Sequence, residues 1–117
     1  MIDQPFQFNV VSLTGIQSPT NTATGIYSFA VGNGAEATTE YSVSMGRNTV
    51  ASGIRSFAVG DNTTADGNYS VALGSGTQAK RQFSTAMGQG TLADGDYSTA
   101  MGKGTTASGD YSTSMGR

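Results

Sequence analysis

Four segments of the chain have the G-x-G-x-x-A spacing of a dinucleotide-binding loop. They are Gly32 to Ala37, Gly74 to Ala79, Gly88 to Ala93 and Gly102 to Ala107. In such a site the glycines let the backbone approach a pyrophosphate at the N-terminus of the helix that follows. Here the segments are spaced by multiples of fourteen residues, and glycine recurs too often for a helix to follow any of them. We therefore attribute the spacing to an internal repeat and expect no cofactor.

Few other residues could support catalysis or bind a metal. The chain has no histidine, which removes an ordinary Ser-His pair and an imidazole metal ligand. Asp94 and Asp96 lie in a polar turn, which is typical of solvated carboxylates rather than of a general acid and base. Some β-solenoids bind calcium with turn aspartates, but their G-G-x-G-x-D motif is missing here. We expect neither an enzyme nor a metal site.

The composition points to small side chains packed tightly. Gly, Ala, Ser and Thr supply 60 of 117 residues, whereas Leu, Ile, Val and Phe supply only 19. Such a content is typical of disordered chains, but those usually carry a large net charge, and here it is −2. Without a cluster of Lys or Arg we expect no nucleic-acid partner. No apolar run is long enough for a membrane span, and residues 1–5 lack the features of a secretion signal.

A repeat of fourteen residues runs through most of the chain when it is written in rows from Tyr27. Column six of these rows is glycine in all seven, from Gly32 to Gly116. Column two is serine in all seven rows, at Ser28, Ser42, Ser56, Ser70, Ser84, Ser98 and Ser112. Column eleven is alanine in all six complete rows, at Ala37, Ala51, Ala65, Ala79, Ala93 and Ala107. A degenerate half row begins near Asn21.

Each row predicts one coil of a parallel β-solenoid. Columns one to five alternate between large and small residues, which predicts a strand, and columns nine to thirteen predict a second short strand. Glycine and asparagine in columns six to eight, and Gly-Asp or Gly-Asn in columns thirteen and fourteen, predict the turns. Successive coils would stack in parallel at roughly 4.8 Å.

The sizes of the residues predict which columns lie inside the coil. The serines of column two and the alanines of column eleven suit a coil too narrow for large side chains. Column five must then point outwards, with Val31, Met45, Val59, Leu73, Met87, Met101 and Met115. Column one, which includes Tyr41, Tyr69, Phe83 and Tyr97, must point outwards too.

The outward apolar residues predict a homo-oligomer. Seven stacked apolar groups beside a row of aromatic residues exceed the apolar patch that monomers usually expose. We expect another copy of the chain to cover them, with columns one, three and five at the interface and columns ten, twelve and fourteen in water. The column-one aromatics could instead stack on sugars, although aromatic residues are more typical of subunit interfaces.

These rows resemble the head repeats of the trimeric autotransporter adhesins, the YadA-like heads. The segment Ser70-Val71-Ala72-Leu73-Gly74, with Ala79 following, is similar to their SVAIG-type segment. The similarity covers residues 27–117, with the half coil from Asn21 ahead of it. It implies a left-handed parallel β-roll and three chains around one axis. Column one of those adhesins is often Asn and column five Ile, where this chain has mostly Tyr and Met.

The resemblance also implies a function without catalysis. We expect an adhesive or structural head module on a fibre at the outer membrane, binding a host-surface protein, matrix or glycan receptor. We expect no direct insertion into a membrane. Similar repeats also suit a phage or viral tail fibre, so a rigid shaft or receptor-binding segment of a virion fibre is the alternative.

Residues 1–20 do not follow the rows. Phe6, Phe8 and Val10 alternate with polar residues, which predicts a strand that ends before Thr14-Gly15. A solenoid end leaves unpaired strand edges and needs a cap. We therefore expect an N-terminal strand and cap over residues 1–20 and head repeats over residues 21–117. Docking of residues 1–20 to a preceding fibre segment is the alternative.

Overall fold

The computed structural model describes residues 7–8 and 15–117, and all the regular secondary structure of this part is β-strand. The strands form two sheets, which the chain visits alternately as it winds. The Cα atoms span 50 × 21 × 10 Å, the dimensions of a flattened rod. The predicted all-β parallel solenoid with coils of fourteen residues is confirmed. Its left-handed winding stays a prediction.

The first sheet has nine strands, which lie side by side in chain order. They are Gln7–Phe8 (β1), Gly15–Gln17 (β2), Ser28–Asn33 (β4), Val43–Arg47 (β6), Phe57–Asp61 (β8), Val71–Ser75 (β10), Thr85–Gln89 (β12), Thr99–Lys103 (β14) and Thr113–Gly116 (β16).

The second sheet has seven strands of two residues each. They are Thr22–Ala23 (β3), Glu36–Ala37 (β5), Val50–Ala51 (β7), Thr64–Ala65 (β9), Gln78–Ala79 (β11), Leu92–Ala93 (β13) and Thr106–Ala107 (β15).

The register of both sheets follows the sequence repeat. From β4 onwards every strand pairs in parallel with the strand fourteen residues later, so Leu73 lies beside Met87 and Met87 beside Met101. In the second sheet Ala79 lies in the same way between Ala65 and Ala93. Each column of the sequence is therefore a straight row of side chains along the rod.

The predicted positions of the strands within the coil were wrong by about two residues. The first strand occupies columns three to seven rather than one to five, as in Val71–Ser75. The second occupies columns ten and eleven rather than nine to thirteen, as in Gln78–Ala79. The reason is that columns thirteen and fourteen of one row form a turn with columns one and two of the next. In the turn at Gly53, the Ser56 N–H donates to the Gly53 carbonyl at 3.1 Å.

The third residue of this turn is left-handed even though it is not glycine. Tyr27, Tyr41, Arg55, Tyr69, Phe83, Tyr97 and Tyr111 all have φ between 57° and 62°. Positive φ at this place is typical of a type II turn, which normally uses Gly or Asn. The sequence pattern predicts left-handed or turn conformations in columns six to eight and thirteen to fourteen, but it does not predict them in column one.

Glycine is required in column six for two reasons. Its φ lies between 116° and 138°, where residues with a side chain are strained. A Cβ placed on Gly88 would also lie 1.9 Å from the carbonyl oxygen of Gly102 in the next coil. Any larger residue in this column would separate the coils.

The N-terminal part of the first sheet departs from the repeat. Strand β2 pairs with β4 in parallel, but Ile16 lies beside Phe29, an offset of thirteen residues rather than fourteen. Strand β1 pairs antiparallel with β2, with Phe8 beside Ile16. The other residues of the predicted strand, Phe6 and Val10, lie outside the described residues. The capping role of residues 1–20, and the boundary at residue 20, stay predictions.

A pair of glycine substitutions tests whether the close stacking of the coils is essential. Gly88→Ala introduces both the clash with Gly102 and a disfavoured φ, and we expect it to lower the free energy of unfolding by about 3 kcal/mol or more. Gly90→Ala is the matched control, because nothing lies within 4 Å of its added Cβ, and its φ of 65° costs about 1 kcal/mol. Urea unfolding followed by circular dichroism measures both. Equal losses would contradict the stacking argument.

Candidate functional site

The interior of the coil contains only small side chains. Among residues 18–117, whose burial the structure describes, the largest fully buried residue type is threonine, in column nine at Thr49, Thr63, Thr77 and Thr91. The sequence-predicted interior residues of column two are buried at Ser28, Ser42, Ser56, Ser70, Ser84 and Ser98. Those of column eleven are buried at Ala37, Ala51, Ala65, Ala79, Ala93 and Ala107. Ser112, in the last half coil, is half-buried.

Hydrogen bonds show how close the two sheets are. The hydroxyls of Ser44 and Thr49, on opposite sides of one coil, are hydrogen-bonded at 2.7 Å. The column-two hydroxyl of Ser98 donates to the carbonyl oxygen of Gly95 at 2.6 Å. The buried hydroxyls of Ser56 and Ser70, in the same column, have no hydrogen-bond partner. A coil whose largest fully buried side chains are threonines has no room for a side chain the size of leucine or methionine.

Columns three and five form a band of side chains along the outer face of the first sheet, which we call the apolar stripe. In column five none of the seven residues is buried. Val31, Val59, Leu73, Met87 and Met101 are half-buried, and Met45 and Met115 are exposed. In column three Phe29, Val43, Phe57 and Val71 are followed by Thr85, Thr99 and Thr113. The structure brings all these residues together on one face, where no other part of the described chain covers them.

The seven residues of column one form a second row beside the stripe, which we call the aromatic ladder. Tyr69, Phe83, Tyr97 and Tyr111 stack with ring centroids 4.8 to 5.1 Å apart and planes within 6° of parallel. Their fractional exposure runs from 42% to 76%. Tyr27 and Tyr41 stack at 5.3 Å at the other end.

Arg55 occupies the gap in the aromatic ladder. Its guanidinium lies 5.0 Å from the ring centroid of Tyr41 and 5.6 Å from that of Tyr69. Its Nη1 also donates to the Tyr69 hydroxyl at 3.0 Å. The row of stacked side chains is thus unbroken, because the Arg55 guanidinium lies between two aromatic rings.

The stacking bears on the sugar-binding interpretation of the ladder. A sugar ring packs on the face of an aromatic ring. In the ladder these faces are in contact with the neighbouring rings, as in Phe83, which has a ring on each side. Between the two end residues, Tyr27 and Tyr111, which each have one face without a neighbouring ring, the faces are covered in this way. This arrangement favours an interface with protein over a row of sugar-stacking platforms.

A polar row, in which four of seven residues are charged, lies in column seven, where the first-sheet strands end. Arg47 and Asp61 of successive coils form a two-point ion pair, with Nε to Oδ1 at 2.9 Å and Nη2 to Oδ2 at 2.6 Å. The hydrogen bond from Arg47 holds the pKa of the Asp61 carboxyl below its ordinary value, and the arginine charge acts in the same direction. Asp61 is therefore charged at neutral pH, and its contribution to stability is lost only as acid protonates it.

Column-fourteen residues cap the turns, which the sequence analysis did not predict. The Ile54 N–H donates to Oδ1 of Asn68 in the next coil at 2.9 Å. The Asp96 N–H donates in the same way to Oδ1 of Asp110 at 2.9 Å. The signal was the Asp or Asn that follows glycine in three of the six complete rows, since these side chains bond readily to turn amides.

The dinucleotide-type segments fall in the turns between strands. Gly88 to Ala93 runs from β12 into β13, and no helix follows it in the described chain. Among the described residues no group of three or more acidic side chains is placed to hold a metal ion. Within that same part of the chain, no helix is long and apolar enough to cross a membrane.

Comparison with known proteins identifies the repeat. A family model for the YadA head domain repeat matches residues 23–49, 51–77, 69–91, 79–105 and 93–117, which is most of the chain. A search of curated proteins finds no match. YadA head domains form homotrimers in general, and they belong to surface-exposed fibres anchored in the outer membrane. Their repeats are structural and adhesive and are not known as enzymes.

Substitutions at Phe83 test the contribution of the aromatic ladder. Phe83→Ala removes two stacked pairs and keeps the left-handed backbone, so we expect a loss of about 1 to 3 kcal/mol in the free energy of unfolding. Phe83→Tyr restores the residue type of its neighbours and should change stability by less than about 0.5 kcal/mol. Urea denaturation of the three proteins provides the comparison. An alanine variant as stable as the parent would show that the ladder is not stabilising.

Proposed function

Because the chain belongs to the YadA head family, we propose that it is the head module of a trimeric surface fibre that attaches a cell to a host or to another cell. In this proposal three copies assemble through the apolar stripe and the aromatic ladder. The assembled head binds a surface protein, a matrix protein or a glycan through its outer columns and catalyses no reaction.

The observation that carries the proposal is the uncovered apolar stripe. Columns three and five hold eleven Val, Leu, Met and Phe side chains, and none of them is buried. Completing the burial of a half-exposed side chain of this kind contributes about 1 kcal/mol. Eleven side chains give on the order of 10 kcal/mol per chain, which is comparable with the 4 to 15 kcal/mol or so that association costs. The aromatic ladder and the residues at the strand ends add further contact area, so the free energy of self-association is favourable.

The dimensions of the rod suit three copies. If three rods face one axis with their first sheets, the sheets form a triangle whose side is the 21 Å width of the rod. The centre of that triangle is about 6 Å from each side, somewhat more than half the usual 10 Å between packed sheets. Side chains the size of valine, leucine and methionine fill such a space. The threefold homotrimer thus places column five at the axis.

The outer columns then supply the binding surface. Glu36, Gln78, Lys80, Ser108 and Asp110 are exposed on the face opposite the stripe or at its turns. Three copies of each would be presented by one head, and many heads by one cell. Weak single contacts would therefore combine into strong attachment. The family match gives no support to the virion-fibre alternative.

Substitution of one stripe methionine tests the assembly. In the proposed trimer Met101→Asp places three carboxylates at the axis, and burying such a charge costs several kcal/mol. We expect the trimer to dissociate at micromolar concentration, as measured by analytical ultracentrifugation. Met87→Asp should act in the same way. Thr106→Asp is the matched control in the same coil as Met101, because Thr106 is exposed in the second sheet, and it should leave the mass unchanged. A folded, fully assembled Met101→Asp variant would refute the assignment of faces.

Binding measurements test the adhesive role. We expect the purified trimer to bind saturably to at least one component of an array of matrix proteins and glycans. Alanine substitutions at Gln78 and Lys80 in the outer columns should weaken binding without changing the mass of the assembly. A trimer that binds nothing across a broad array would indicate a spacer rather than a binding module.

A further inference from the structure

The symmetry of the proposed trimer brings two different edges of the chain together. In a threefold assembly all strands run around the axis in the same sense. The first-sheet strands begin beside the aromatic ladder of column one and end at column seven. In the trimer the beginnings of one subunit's strands must therefore lie next to the ends of the adjacent subunit's strands. This argument rests on the proposed function, because it needs three copies around one axis.

The residues of these two columns match coil by coil. Column seven holds Asn33, Arg47, Asp61, Ser75, Gln89, Lys103 and Arg117. Arg55 is the only charged residue in column one, and Asp61 is the only acidic residue in column seven. Both belong to the same coil. In the other coils column one is aromatic and column seven is cationic or neutral.

Arg55 is free to take a carboxylate partner. Within its own chain it lies between the rings of Tyr41 and Tyr69 and donates to the Tyr69 hydroxyl. The two ion pairs among the described residues are Arg47 with Asp61 and Arg81 with Asp94, and neither involves Arg55. A guanidinium has five N–H donors, so most of those of Arg55 remain available.

Asp61 can accept a second arginine. Its two oxygens each accept one hydrogen bond from Arg47, while its side chain remains 42% exposed. A carboxylate has about four acceptor sites, so about two are left. Within one chain Arg55 and Asp61 lie at opposite ends of β8 and its preceding turn, so they cannot pair with each other.

We infer that Arg55 of each subunit forms an ion pair with Asp61 of the adjacent subunit, and that this pair fixes the axial register of the three chains. Register needs such a device, because column one is aromatic in six of seven coils and column five is Val, Leu or Met in all seven. A slip by one coil would retain most contacts of the stripe. It would place Arg55 beside Arg47 or Ser75 of the adjacent subunit instead of Asp61. The first of these contacts is repulsive, and the second has no counter-charge.

Charge exchange tests the inference in the full chain. Arg55→Glu should place two carboxylates together at each of three interfaces and raise the dissociation constant of the trimer about tenfold or more. Asp61→Lys should also weaken the trimer, because the new ammonium group repels Arg55 of the adjacent subunit and Arg47 of its own chain. The double variant restores opposite charges across the interface. It should dissociate less readily than Asp61→Lys alone, as measured by sedimentation equilibrium.

The matched control moves the new lysine by one coil. Ser75 occupies column seven of the next coil, roughly 4.8 Å along the rod, so Arg55→Glu combined with Ser75→Lys should show less rescue than Arg55→Glu combined with Asp61→Lys. Greater rescue by Ser75→Lys than by Asp61→Lys would mean a slipped register and would overturn the inference. Additive effects of Arg55→Glu and Asp61→Lys in a trimeric protein would overturn it too. If the parent chain sedimented as a monomer, the proposed assembly itself would be wrong, which the same measurement distinguishes.

Discussion

The width of the coil interior is the constraint on which the rest of the structure depends. The two sheets are close enough for the hydroxyls of Ser44 and Thr49 to bond directly, and among residues 18–117 no side chain larger than threonine is fully buried. Every large apolar residue of the repeat is therefore excluded from the inside. Because the strand alternates, these residues gather in one band on the outer face of the first sheet. The chain by itself leaves this band uncovered, and in the proposed trimer three chains cover it together.

Two local devices allow the coils to stack so tightly. Column-six glycines let the carbonyl of the next coil approach to a distance that a Cβ would block. Column-one residues turn the chain with a left-handed conformation, which costs a residue with a side chain roughly 1 to 2 kcal/mol. Each aromatic pair in the ladder contributes about 0.5 to 1.5 kcal/mol beyond its buried area. These magnitudes are similar, so the ladder approximately offsets the strain of the turns that carry it.

The repeat itself made much of the fold predictable from the sequence. The period, the parallel stacking and the exclusion of helix follow from the recurrence of Ser, Gly and Ala in fixed columns. The strand limits could not be predicted, since the alternation of Tyr97, Thr99 and Met101 continues from the turn into the strand without a change of pattern. The left-handed Tyr97 was missed because tyrosine rarely adopts that conformation. The asparagine usual at this position in the adhesins was the available signal, because asparagine tolerates positive φ.

The candidate site was less predictable than the fold. The order of the residues along the chain indicates which of them share a face, but it does not show contacts between coils. The cation between Tyr41 and Tyr69, and the ion pair of Arg47 with Asp61, both join residues fourteen positions apart. They depend on side-chain conformations that the sequence pattern does not specify. The proposed pairing of Arg55 with Asp61 between subunits could not be predicted from the sequence either. It requires knowing that columns one and seven lie at opposite ends of the first-sheet strands.

The mass of the native, purified chain tests the central claim most directly. If the apolar stripe is covered by other copies, sedimentation equilibrium at micromolar concentration should give three times the 11.9 kDa of the single chain. A stable, fully folded particle of 11.9 kDa would show that the narrow coil can leave its methionines and aromatic residues in water, and would contradict the account.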